Sequence, residues 1–139
     1  RTRAGFTWTS AWKFDVGDPM SMERVYDRLS GRTMYVVAVT NQTLADFERN
    51  LEERVSPTID ANQGIGVWRR DDGVIFVDSV VLFFGPRASE EWALDYARRH
   101  RQESVLKVSG PSRTFEFLDV PVFRTDPELG FSGRQRRIG

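Results

Sequence analysis

Apolar and polar positions change period several times along this chain, and each change marks an element. Residues 21–29 place Met22, Val25, Tyr26 and Leu29 on one helical face, closed by Gly31. Thr33 to Thr40 encloses an almost unbroken apolar run, the mark of a strand buried on both faces. A helix of about a dozen residues follows, with Thr43 as N-cap, Asp46 three positions on, and a stripe of Leu44, Phe47, Leu51 and Val55 before Pro57 stops it. From Gly64 to Phe84 two β-rich runs meet at Asp72-Gly73, a dipeptide that tolerates the positive φ angles of a tight turn. A further helix opens at Ser89, with Glu90 and Glu91 in its first turn, and closes on Arg98, Arg99, His100 and Arg101, each charge matched to its end of the helix dipole. Two more strands are expected, from about Ser104 to Val108 and from Thr114 to Leu118.

Within residues 33–120 this succession is β-α-β-β-α-β, which predicts an α+β core of ferredoxin-like arrangement. Residues 1–32 carry Trp8, Trp12 and Phe14 without helical period and predict an aromatic N-terminal arm or edge strand followed by the short helix. Such aromatics are costly to leave in water, so the arm is expected to pack onto something. Residues 121–139 lack any period and predict an extended polar tail.

The hairpin carries the main anomaly. A loop of Asp72 and Gly73 alone pairs Trp68 with Val77, Val67 with Asp78 and Arg69 with Phe76. One face then holds Trp68, Ile75, Val77, Val81 and Phe83 and is expected to meet the helices. The other holds Val67, Phe76, Val80, Leu82 and Phe84, with Asp78 and Arg69 as diagonal neighbours. Such an apolar face needs cover from the arm, a second subunit or a ligand. A slip of one residue in this register would exchange the faces.

Composition narrows the chemistry. The 139 residues suit one domain, and 20 basic against 20 acidic residues leave no net field toward nucleic acid or an anionic membrane. Arginine outnumbers lysine 18 to 2, a bias that a GC-rich coding sequence produces. There is no cysteine, so disulfides, thiolate chemistry and cysteine zinc sites are excluded. No apolar run has the length of a transmembrane helix, so a soluble chain is expected, cytoplasmic or part of a viral particle.

Among candidate residues, Asp78 is either a ligand-binding carboxylate or general base with apolar neighbours, or a structural group paired with Arg69 or set at a β-bulge; the second is the simpler account. His100, the only histidine, sits among arginines at a helix end, where a solvated cation is the simpler account than catalysis. Two basic groups, Arg98, Arg99 and Arg101, and Arg134, Arg136 and Arg137, are candidates for binding anions, though they lack the interleaved aromatics of a nucleic-acid surface. Gly64-Ile65-Gly66 precedes a strand rather than a helix and is read as easing a turn or bulge, not as a nucleotide loop. No metal-ligand spacing, catalytic constellation or cofactor motif is visible.

Ala97-Arg-Arg-His-Arg-Gln-Glu-Ser-Val-Leu106 is similar to a helix-to-strand phrase in small uncharacterised proteins of phages and mobile elements, an Ala-Arg stretch followed by Gly-Gln-Glu-Ser-Val-Leu. Here Arg101 stands at the position of the phrase's glycine. In element order the chain also resembles dimeric α+β barrel proteins, in which two sheets pack face to face and some members are small-molecule monooxygenases or isomerases. The leading expectation is a non-enzymatic protein-interaction module, a subunit of a larger and phage-encoded assembly or a self-associating chain, with Val67, Phe76, Leu82, Phe84, Trp8 and Trp12 at its interface. The alternative is a small-molecule enzyme or binder using Asp78, with nucleic-acid binding through the arginines ranked third.

Overall fold

The computed structural model describes residues 4–85 and 88–121. In chain order it contains β1 (Ala4–Thr9), β2 (Lys13–Asp15), α1 (Pro19–Leu29), β3 (Thr33–Ala38), α2 (Leu44–Glu52), β4 (Gln63–Arg69), β5 (Ile75–Phe84), α3 (Glu90–Arg99), β6 (Ser104–Ser109) and β7 (Thr114–Asp119). The strands form one antiparallel sheet in the order β2-β1-β4-β5-β3-β6-β7, curled into a half-barrel.

This corrects the ferredoxin-like expectation. The succession β3-α2-β4-β5-α3-β6 occurs, but only as the middle of a seven-stranded sheet, with β1, β2 and β7 added at its flanks. Helices also lie on both faces of that sheet. α1 packs on the face of Met34, Val36, Val80, Leu82, Leu106 and Val108. α3 packs on the opposite face, where Ala93 and Ala97 meet Tyr35, Val37 and Val105. Residues 4–15, expected as an arm or edge strand, are built into the sheet, with β1 hydrogen-bonded between β2 and β4. Trp12 and Phe14 are buried beneath α1, whereas Trp8 points to the other face and is 42% exposed. The tail expected over residues 121–139, with Arg134, Arg136 and Arg137, lies outside the described residues except for Pro121.

The helices follow their local chemistry. The Asp18 side chain accepts from the Met20 amide, Pro19 fills the first turn, and α1 buries the expected Met22, Val25, Tyr26 and Leu29. Its left-handed closing residue is Ser30, with φ of 57°, rather than Gly31. Thr43 and Asp46 form a reciprocal capping box on α2, yet α2 buries none of its residues. Ser89 caps α3 by accepting from the Trp92 amide at 3.1 Å.

The hairpin register differs by one residue from the expectation. Gly66 lies opposite Asp78, Val67 opposite Val77, Trp68 opposite Phe76 and Arg69 opposite Ile75. The cause is the loop. The Arg70 amide donates to the Val74 carbonyl at 2.9 Å, leaving three residues between them, and Gly73 closes the turn with φ of 90°. The Asp72 carboxylate stabilises this longer loop, accepting from the Val74 amide and from the Arg70 guanidinium. Trp68 therefore joins Phe76 and Asp78, while Val67 and Arg69 turn to the opposite face. The expected pairing of Asp78 with Arg69 is thereby overturned.

Candidate functional site

The concave face of the curled sheet is filled at one end by α1 and open at the other. At the open end lies a cavity of about 490 Å³, lined among others by Trp68, Phe76, Phe117, Asp78, Arg70 and Arg101. Val36, Ala38, Trp68, Leu106 and Phe117 belong both to this lining and to the core packed under α1, so they form the partition between the two ends.

Trp68 and Phe117 show how far the sheet curls. They sit on β4 and β7, with β5, β3 and β6 between them. In a flat sheet four interstrand steps would separate their backbones by roughly 19 Å. Instead their rings meet edge to face with centroids 6.0 Å apart. The indole is seated by two glycines. A Cβ on Gly5 would stand 2.4 Å from its ring, and one on Gly66 would stand 3.1 Å from its nitrogen and 2.7 Å from Val80. Gly64 serves the same sheet differently: a side chain there would meet the Trp8 carbonyl oxygen at 1.9 Å. The Gly64-Ile65-Gly66 segment thus admits neighbours inside β4 rather than easing a turn.

Asp78 is buried, with 5% of its surface exposed, and its role is visible in its partners. Past Ala38 the chain continues along β5, but Thr43 rather than Gln42 lies opposite Phe76, so one extra residue bulges beside Asp78. Oδ1 of Asp78 accepts from the Thr40 hydroxyl at 2.7 Å and from the Gln42 amide at 2.9 Å. The Thr40 hydroxyl in turn accepts from the Ser79 amide at 3.1 Å. This carboxylate holds the bulge together, and that places it at the cavity floor.

The charged rim divides into engaged and open groups. Arg70 lies over the Phe76 ring and is clamped by Asp72, whose hydrogen bonds raise the guanidinium's pKa and lower that of the carboxyl. The Glu103 charge adds a further rise at Arg70. Arg101 is exposed at the cavity mouth and forms no ion pair among the described residues.

The other expected residues are dispersed. Leu82 and Phe84 lie on the concave face, but in the α1-covered core. Arg98 and Arg99 both pair with Asp95 on α3, which removes them as a free cationic surface. His100 caps α3 and its ring lies tilted against Tyr96, with centroids 4.6 Å apart, and it does not line the cavity. Trp68, Phe117 and Arg70 line the cavity although the sequence did not single them out as site residues. Phe117 had a legible signal in the alternating Thr114–Leu118 strand, but nothing local reported that β7 would fold back over β4.

Among the described residues no helix is long and apolar enough to cross a membrane, and no group of histidines and carboxylates is placed to hold a metal ion. Compared with models of known families, with curated proteins and with solved structures, the chain matches none.

Proposed function

We propose that this protein is a non-enzymatic binder of a small molecule with a flat apolar body, held in the concave-face cavity. One observation carries the reading: about 490 Å³ of space in which Trp68, Phe76 and Phe117 share the lining with polar residues that include Asp78, Arg70, Arg101 and Glu103. That size is usual for sites that enclose a small ligand. Three aromatic side chains from three strands supply stacking and edge contacts, and the curled sheet presents them without further folding. The non-enzymatic part rests on Asp78, whose Oδ1 is spent on the bulge, and on His100, which lies outside the cavity. The test is titration with N-phenyl-1-naphthylamine, an uncharged dye that brightens in apolar surroundings. Saturable binding to the wild type and its loss in Ala38→Phe, which fills the floor, is the expected result. Absence of binding, or binding indifferent to Ala38→Phe, removes the reading.

A second reading has its own observation. The α2 stripe is open to solvent at Leu44, Leu51 and Val55, and Phe6, Trp8 and Ile75 are exposed on the sheet face opposite the cavity. These support a protein-interaction role, by self-association or with another chain. Light scattering of the wild type against Trp8→Glu and Leu51→Glu tests self-association. A strictly monomeric wild type at high concentration ends that form of it.

A further inference from the structure

We propose that Arg101 makes the cavity selective for ligands that carry an anionic group on the flat apolar body; this rests on the small-molecule reading above. The first observation is backbone geometry. Arg101 has φ of 59°, the left-handed region that glycine adopts without strain, and among the described residues it is the one non-glycine residue in that region that lines the cavity. The other three, Ser30, Arg54 and Arg113, lie elsewhere.

Neighbouring contacts hold that conformation. The Gln102 amide donates to the Ala97 carbonyl at 3.0 Å, wrapping the end of α3. The Gln102 side-chain amide donates to the Thr40 carbonyl at 3.0 Å and the His100 carbonyl at 3.1 Å, tying the helix end to the bulge that Asp78 holds. Residue 101 is therefore fixed at the mouth, and an arginine stands where the turn itself favours glycine.

The second observation is the charge inventory. Arg70 is clamped by Asp72, Arg98 and Arg99 by Asp95, and Arg113 by Glu23 and Asp27. Of the two carboxylates in the lining, Asp78 is occupied by the bulge and Glu103 acts on Arg70, whose pKa its charge raises. Arg101 alone among these arginines keeps its guanidinium without an ion pair among the described residues, beside an aromatic cavity. A planar fork of donors at that position suits the paired oxygens of a carboxylate, sulfonate or phosphate.

A matched pair of dyes tests this on the full chain: 8-anilinonaphthalene-1-sulfonate, and N-phenyl-1-naphthylamine, which has the same rings without the sulfonate. The wild type is expected to bind the sulfonate about tenfold more tightly, a preference that shrinks with added salt. Arg101→Gly is expected to erase the preference while melting no lower than the wild type, because glycine suits the turn; Arg101→Lys should retain part of it. Ala38→Phe should abolish both dyes. Equal affinities in the wild type, or a preference that survives Arg101→Gly or Ala38→Phe, overturn the proposal. If neither dye binds, the small-molecule reading itself fails and this one with it.

Discussion

The two ends of the concave face share the same strands but are finished differently. At one end α1 lays Met22, Val25, Tyr26 and Leu29 onto Met34, Leu82 and Val108, all 5% exposed or less. At the other no helix among the described residues lines the hollow, and Asp78, Arg70, Arg101 and Glu103 stand around three aromatic rings. A curled sheet needs its hollow filled, and this chain fills half. What separates the halves is polarity, since charged groups cannot accept an apolar helix without losing their hydration.

Substitutions should expose that difference. The largest effect is expected at the filled end: Leu29→Ala, with 0% exposure, should cost about 3 kcal/mol in chemical denaturation. Phe76→Ala at the open end should cost only about 1 kcal/mol while abolishing dye binding. Equal losses at the two sites would mean that the ends are one continuous core. Next comes the partition. Gly5→Ala drives a methyl into the Trp68 ring and should cost about 2 kcal/mol, with a change in tryptophan emission. An unchanged spectrum would show that the indole has room to move.

Asp78 is expected to behave as a structural group. Asp78→Ala should cost about 2 kcal/mol, since it strands the Gln42 amide and the Thr40 hydroxyl, whereas Asp78→Asn keeps an acceptor and should cost less than half of that. Should both variants be equally unstable, the charge itself is what the bulge requires. The one expected gain concerns Thr7, buried on β1 with a hydroxyl that has no hydrogen-bond partner among the described residues. Thr7→Val should gain about 1 kcal/mol, and a loss there would reveal a partner for that hydroxyl.

Much of the local structure was legible. The four buried residues of α1, the Thr43–Asp46 box and the Ser89 cap follow from short-range spacing, and the structure contains them all. The alternation along β5 also holds, with Phe76, Asp78, Val80 and Leu82 on one face. What the chain did not disclose were quantities set at a distance or by a single torsion. Asp72-Gly73 is compatible with a two-residue or a three-residue loop, and the Asp72 side chain decides between them through Arg70 and Val74. That one step moved Trp68 into the cavity wall and Arg69 out. The α2 stripe looked like a core face but stays exposed, because amphipathic spacing specifies a helix and not its partner. At Arg101 an arginine at the end of a helix was visible in the sequence, but its meaning required the φ angle and the surrounding charges.

The Trp68–Phe117 contact has a mechanical consequence. A complete barrel is sealed by a continuous ladder of backbone hydrogen bonds, and prying it open breaks them one after another. Here β4 and β7 are not hydrogen-bonded neighbours and meet through a ring touching a ring, a contact worth about 1 kcal/mol. The seam of this half-barrel is therefore a side-chain contact and not a ladder of backbone hydrogen bonds.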